Sequence, residues 1–241
     1  MASVNEKLID LYQSHWGVLV SNAWKFNNEK LKPACPLLIQ VDESEYETAD
    51  IRVMYVGQET WGWGSLSKNT MEERLGRYRS YYLEKRYRET SRRSAFWRGV
   101  RRFDEFLVKQ FPDKRIANVW NNISKIGLEG RRGVSEALRA FEREFFPVFR
   151  KEVEILSPDL VIFLSGPNRD RDIRFHFPNA TFRQATTSKS KREIAFIDLG
   201  VACKASIRTY HPSYFGGFNR SFGEAASALL LDAGTHVVPN H

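Results

Sequence analysis

One run of apolar residues between turn-forming groups limits the possible folds of this chain more than any other feature. Residues 160–164 read LVIFL, with SPD before them at 157–159 and SG after them at 165–166. A strand without a polar position is expected where helices cover both faces of a parallel sheet. Residues 51–56, IRVMYV, form a second short run, apolar except for Arg52, that ends at Gly57. The sequence therefore predicts buried parallel strands.

Amphipathic helices are predicted between these strands. Residues 94–111 and 138–153 place apolar side chains at spacings of three and four, the second stripe with a kink at Pro147. Shorter strands are predicted at residues 116–120, 192–199 and 205–210. The alternation indicates an α/β fold, a three-layer α/β/α sandwich with a central, mainly parallel sheet. We expect residues 1–241 to form a single domain with a basic helical insertion at about 65–112.

The net charge of +8 is concentrated in one part of that insertion, residues 74–102, which we call the basic segment. It contains eleven Lys or Arg and two Glu, so the rest of the chain sums to about −1. Six aromatic residues are interleaved with these charges, and residues 71–89 are predicted as a helix. Arginines neutralise phosphates and flat rings stack on bases, so we expect a face that binds nucleic acid. A solvated helix face is the alternative. The predicted DNA contacts in the basic segment are Arg77, Arg79, Lys85, Arg86, Arg92 and Arg93.

The composition argues against several other classes of protein. Two cysteines, Cys35 and Cys203, are too few for a disulfide scaffold or a zinc ribbon. The histidines have no metal-ligand spacing, so we expect no metal and no cofactor. The N-terminal residues lack the apolar region of a signal peptide, and no run of 18 apolar residues is present. We expect a cytoplasmic monomer without a membrane partner.

Polar residues follow the predicted strands at 57–64, 121–125, 165–168 and 211–214. Ligands bind to sheets of this type outside the carboxyl ends of the strands, which meet at one edge. We therefore expect a carboxylate, carboxamides and an imidazole to lie together beside aromatic rings.

Hydrolysis of an N-glycosidic bond is a reaction that three of these groups fit. The sugar acquires oxocarbenium character while the leaving base acquires negative charge. Glu59 can orient water and favour the cation, and His211 can donate a hydrogen bond to the base oxygen. Asn122 can read the base edge, because a carboxamide both donates and accepts.

The motifs at these positions resemble those of the uracil-DNA glycosylase superfamily, in the order of that family. They are GQE at 57–59, NNISK at 121–125, LSPDLVIFLSG at 156–166 and YHPSY at 210–214. The resemblance covers roughly residues 50–233, and His-Pro-Ser is its most specific part. It implies an α/β/α sandwich around a four-stranded parallel sheet.

The resemblance also implies roles for individual residues. Glu59 takes the place of the water-activating acid, commonly Asp, and His211 that of the histidine that contacts the base carbonyl. The implied base-binding residues are Gln58, Asn122, Trp61 and Trp63, with either tryptophan as the ring that stacks on the base. Ser213, Tyr214 and Phe215 are expected at the DNA backbone and minor groove.

The sequence departs from the family at three places. Glu59 is one methylene longer than the usual Asp, so the placement of water is expected to differ. Cys35 and Cys203 cannot supply the four ligands of the iron–sulfur branches. The Pro-Tyr that follows the acid in the best-known branch is replaced by TWGWG at 60–64, whose glycines could open room beside C5 of a pyrimidine.

We therefore expect a monofunctional DNA glycosylase that acts on double- or single-stranded DNA and leaves an abasic site. Its expected substrate is a flipped-out uracil or modified pyrimidine, including a bulky 5-substituted cytosine of the phage type in an anti-phage role. One alternative is a DNA-binding module that recognises damaged or modified bases without cleavage. A hydrolase of free nucleosides is disfavoured, because a small substrate does not need the basic segment.

Overall fold

The computed structural model describes residues 2–23, 32–201 and 203–237. Its strands are β1 (Ile51–Glu59), β2 (Ile116–Ser124), β3 (Leu160–Phe163), β4 (Thr181–Gln184), β5 (Ile194–Asp198) and β6 (Ala205–Thr209). Its helices are α1 (Val4–Ala23), α2 (Glu43–Glu47), α3 (Met71–Tyr78), α4 (Tyr87–Thr90), α5 (Ala95–Gln110), α6 (Glu136–Phe145), α7 (Phe149–Leu156), α8 (Asp170–His176) and α9 (Phe215–Val237). A π-helical turn, Arg79–Leu83, follows α3, and 3₁₀ turns lie at Leu66–Lys68 and Pro167–Arg169.

The six strands that the structure describes form one mixed sheet in the order β2-β1-β3-β6-β5-β4. The first four in this order are parallel, whereas β5 is antiparallel to β6 and β4 is antiparallel to β5. The expected four-stranded sheet is therefore wrong in strand number. β4 was not predicted, because its sequence, TFRQ, is mostly exposed. An edge strand does not need the apolar run by which a buried strand is recognised.

Helices cover both faces of the sheet, as predicted for an α/β sandwich. On one face, the hydroxyl of Tyr55 in β1 donates to Asp104 of α5 at 2.6 Å. On the other face, Phe163 of β3 packs on Phe149 of α7 with ring centroids 6.4 Å apart. The helical stripe predicted at 138–153 is two helices, α6 and α7, because Pro147 interrupts it.

Strands β1 and β2 extend further than the sequence predicts. Their parallel pairing continues to Glu59 and Ser124, so Gln58, Glu59 and Asn122 lie inside strands and not in the loops after them. Successive side chains of a strand point to opposite faces. The position of each residue in its strand therefore determines the face of the sheet to which its side chain points.

The helix predicted over 71–89 is helical in most of its length but not continuous, since α3 and the π-helical turn end at Leu83 and α4 begins at Tyr87. Lys85 adopts a φ of 61° before α4, which ends the helical run. The aromatic residues of the basic segment turn inward, and Tyr87 stacks on Trp97 at 4.1 Å. Together with Trp63 and Trp120, which lie outside the segment, these rings form an aromatic cluster. Its buried members are Tyr78, Tyr82, Tyr87, Trp97, Trp63 and Trp120. The expected stacking platform for bases is therefore mostly hydrophobic core. None of the described helices is long and apolar enough to cross a membrane.

Candidate functional site

A cavity of about 990 Å³ opens at the carboxyl ends of β1 and β2. Its lining includes residues from the end of β1, from β2, from the turn after β6 and from the basic segment. The predicted site residues in the lining are Gln58, Glu59, Trp61, Trp63, Asn122, His211, Ser213, Arg77, Arg86 and Arg93. Positions far apart in the sequence are thus brought to one cavity.

Glu59, the last residue of β1, has both carboxylate oxygens engaged. Oε1 accepts a hydrogen bond from the backbone N–H of Gly133 at 2.9 Å, and Oε2 forms an ion pair with Arg169. Only 10% of the Glu59 side chain and 8% of the Arg169 side chain are exposed. A carboxylate offers about four lone-pair directions. Glu59 is therefore fixed in position and still able to accept a hydrogen bond from a water or ligand.

His211 lies in the turn after β6, where Ser213 orients its ring. The backbone N–H of Ser213 donates to Nδ1 at 3.1 Å, and the Ser213 hydroxyl lies 2.7 Å from the same nitrogen. Burial, with added repulsion from Arg169 and Arg132, lowers the pKa of His211 to about 4. The ring is therefore neutral near pH 7. Because Nδ1 accepts the backbone N–H, the proton lies on Nε2, which is a hydrogen-bond donor.

Asn122, Gly57 and Phe96 form one corner of the cavity. A Cβ on Gly57 would lie 2.4 Å from Oδ1 of Asn122 and 3.1 Å from the Phe96 ring, so only glycine allows both neighbours to approach. The Phe96 ring is nearly parallel to that of His211, at 19° and 6.3 Å. The Asn122 carboxamide makes no hydrogen bond to another described residue, although Asn122 is buried. It is thus available to a ligand.

The carboxamide of Gln58 has a structural partner. Nε2 of Gln58 donates to the backbone carbonyl of Ser165 at 2.6 Å and so ties the end of β1 to the end of β3. Its second N–H and its Oε1 have no hydrogen-bond partner among the described residues, so they remain for the predicted base contact.

The two tryptophans predicted to stack on a base differ in environment. Trp63 is buried and packs edge-to-face against Tyr81 and Trp120. Trp61 is 60% exposed, and the guanidinium of Arg132 lies 5.5 Å from its ring. Phe96 is a third candidate, because its ring lies beside both Asn122 and His211.

The basic segment contributes Arg77, Arg86 and Arg93 to the cavity lining. Arg77 donates to the backbone carbonyl of Gly62 at 2.6 Å, and Arg86 donates to the Ser80 hydroxyl at 3.0 Å. The predicted contacts outside the lining are Arg79, Lys85 and Arg92, all exposed. Arg74 instead is buried and bonds the carbonyl of Trp63 at 2.7 Å. One member of the charge run is therefore structural.

The residues after His211 form part of the rim. Ser213 lines the cavity. Tyr214 and Phe215 lie outside the lining and are 55% and 65% exposed, with the Tyr214 ring packed edge-to-face on Tyr210. Exposed aromatic rings beside a basic cavity suit insertion into a partner.

Sequence reasoning missed three residues at the site, Arg169, Arg132 and Phe96. Arg169 lies in the 3₁₀ turn after β3, directly after the predicted group at 165–168. Arg132 lies in the loop before α6, and no motif marks it. Phe96 lies on the apolar stripe of α5 and was counted among the six aromatic residues of the basic segment, without a role at the cavity. No cluster of three or more candidate metal ligands occurs in the described ranges.

No protein-family model matches the sequence, and no curated protein matches it at a significant level.

Proposed function

We propose that this protein is a DNA glycosylase that hydrolyses the N-glycosidic bond of a flipped-out pyrimidine and leaves an abasic site. The observation that carries the proposal is the convergence of Glu59, Asn122 and His211 on one cavity. They come from β1, β2 and the turn after β6, which are far apart in the sequence and end at the same edge of the sheet.

Each of the three groups has a role in the proposed reaction. The carboxylate of Glu59 faces the sugar, favours the oxocarbenium ion and orients the water that attacks C1′. The bond between C1′ and the base breaks, the water oxygen bonds to C1′, and Glu59 accepts the water proton. The electron pair leaves with the base, where the Nε2–H of His211 donates to the base carbonyl oxygen as its charge grows.

Recognition of the base involves Asn122 and Phe96. The carboxamide of Asn122 pairs with the hydrogen-bonding edge of the base, since it has a donor and an acceptor and no other described side chain occupies it. Phe96 stacks on the base face, because its ring lies beside both hydrogen-bonding groups.

A bulky 5-substituted pyrimidine fits this cavity better than uracil alone. Cavities of roughly 300–1,000 Å³ hold drug-sized ligands. This cavity measures about 990 Å³, so it has room for a base with a substituent. The indole N–H groups of Trp63 and Trp120 are buried beside the cavity without a partner in the described chain, at a cost of about 1–3 kcal/mol each. Both nitrogens are closed off from the cavity, so the room for a substituent comes from the cavity itself and not from these groups. A hypermodified cytosine of the phage type carries a bulky 5-substituent, and its removal would serve an anti-phage role.

The DNA-binding part of the proposal depends on the basic segment. Arg77, Arg86 and Arg93 place positive charge at the cavity itself, where phosphates that flank an extruded nucleotide would lie. Tyr214 and Phe215 are the side chains expected to fill the gap that the extruded base leaves.

The test is mass spectrometry of bases released from uracil-containing DNA, unmodified DNA and phage DNA with hypermodified cytosine. We expect release by the wild type, strongest from the hypermodified DNA. Glu59→Gln and His211→Ala should reduce release to a slow residual rate, whereas Glu144→Gln and His15→Ala, outside the cavity, should not. Release of uracil alone would exclude the bulky substrate.

A second candidate is a module that binds modified DNA without cleaving it. The two contacts of Glu59 favour this function, because a carboxylate held by the Gly133 N–H and by Arg169 can have a purely structural role at the end of β1. It would be supported by wild-type protein that binds hypermodified DNA but releases no base from any of the three DNAs.

A further inference from the structure

Arg169 holds a position from which it can control the carboxylate at the cavity. Its Nη2 forms the ion pair with Oε2 of Glu59, and both side chains are nearly buried. Arg169 itself is absent from the cavity lining. It therefore contacts Glu59 from behind the cavity wall and leaves the cavity side of the carboxylate open.

Arg169 is in turn held by a group of charges on α8 and α6. Its Nη1 lies 3.4 Å from Asp172. Asp172 also contacts Arg139 at 3.2 Å and Arg143 at 3.0 Å, both on α6. Three arginines thus share one buried carboxylate, which fixes the guanidinium of Arg169. A fixed guanidinium gives its hydrogen-bond partner a defined direction.

The ion pair with Arg169 restricts the motion of the long Glu59 side chain. Glutamate has one more rotatable bond than aspartate and loses more conformational freedom when it is held in one place. The backbone N–H of Gly133 and the guanidinium of Arg169 together fix both of its oxygens. A carboxylate that is fixed before substrate binds does not have to reorganise during the reaction.

We propose that Arg169 is the positioning residue for Glu59, and that it sets the direction in which this carboxylate meets water at C1′. The inference rests on the proposed glycosylase function. It makes Arg169 necessary for the rate of base release and not for the binding of DNA.

The test compares Arg169→Met, Arg169→Lys and Glu59→Gln, alone and combined, in single-turnover base release and DNA binding. We expect Arg169→Met to lower the rate constant about 100-fold, because misplacement by about 1 Å has this effect. DNA affinity should change less than twofold. Arg169→Lys, which keeps the charge, should recover part of the rate. On the Glu59→Gln background, Arg169→Met should cause no further loss.

The matched control is Asp170→Asn, which breaks the neighbouring ion pair with Arg208 in the same turn and does not touch Glu59. Equal rate losses in Asp170→Asn and Arg169→Met would mean that the turn is merely loosened, and would overturn the proposal. An additive loss in the Arg169→Met, Glu59→Gln double variant would also overturn it. Absence of base release by the wild type would instead contradict the proposed function itself.

Discussion

Asn121 and Asn122 are neighbours in β2, and their side chains lie on opposite faces of the sheet. Oδ1 of Asn121 accepts a hydrogen bond from Nζ of Lys125 at 2.6 Å, and its Nδ2 donates to Glu152 at 2.9 Å. The same Oδ1 accepts the backbone N–H of Asn122 at 2.8 Å, while Asn122 lines the cavity. The buried polar network behind the sheet therefore fixes the backbone of the residue in front of it.

We predict that Lys125→Met strongly destabilises the protein. Lys125 and Glu152 are fully buried, with Nζ and Oε1 2.7 Å apart, so the substitution leaves a buried carboxylate without its cation. The expected loss is about 3–5 kcal/mol in the free energy of unfolding, measured by urea denaturation. The control is Lys151→Met, which removes a surface ion pair with Glu154 and should cost less than about 1 kcal/mol. Equal losses would contradict this account.

We predict that Gly57→Ala impairs base release without unfolding the protein. The new Cβ would meet Oδ1 of Asn122 at 2.4 Å, so the carboxamide and the Phe96 ring must move. We expect a rate about 100-fold lower with DNA affinity nearly unchanged. Gly17→Ala is the control, because nothing lies within 4 Å of its Cβ in the middle of α1. A normal rate in Gly57→Ala would exclude Asn122 from base recognition.

We predict that His211 stays neutral well below pH 6. Burial, Arg169 and Arg132 lower its pKa from 6.5 to about 4. Base release should be constant from pH 7.5 to about 5 and fall near pH 4, where protonation of Nδ1 breaks its bond from the Ser213 N–H. The unfolded chain binds this proton at higher pH, so the free energy of unfolding should decrease as the pH falls from about 6.5 to 4.

The measurement for His211 is the pH titration of its ring protons by NMR. His176 is also buried and has a pKa lowered to about 4, so the His211→Asn variant is needed to assign the signals. A midpoint of 6 or higher for His211 would contradict the assigned environment.

We predict that Arg86→Gln and Arg93→Gln each weaken DNA binding and reduce its salt dependence. Loss of one phosphate contact should lower the slope of log K against log salt concentration by about 0.9. Lys114→Gln removes an equally exposed charge before β2, at the opposite edge of the sheet, and should leave the slope unchanged. Identical slopes for all variants would mean that the basic segment is a solvated helix face and does not bind DNA phosphates.

The parallel core and the location of the cavity could be predicted from apolar runs and from the residues that follow them. Glu59, Asn122 and His211 line the cavity because parallel strands end at a common edge. Two features were not predictable in this way. β4 is too polar to be recognised, and the turn-forming residues at the ends of β1 and β2 did not stop these two strands, which pair with each other as far as Glu59 and Ser124.

The partners of the site residues were less predictable than the residues themselves. Arg169 meets Glu59 across 110 positions of sequence, and neither spacing nor composition marks such a contact. The aromatic residues of the basic segment were expected to face a ligand, but the burial of large rings took most of them into the core.

The aromatic cluster beneath the basic segment also determines which component changes shape when a polyanion binds. Tyr87 and Trp97 stack at 4.1 Å and tie α4 to α5, so the backbone that carries the arginines is ordered when the protein folds. A flexible basic arm would lose about 1–2 kcal/mol per residue in entropy on binding. Here the backbone of the basic segment is already ordered before binding, and it holds the arginines in a preformed arrangement. Under the proposed function, any bending or unstacking needed for a close fit would therefore come from the DNA.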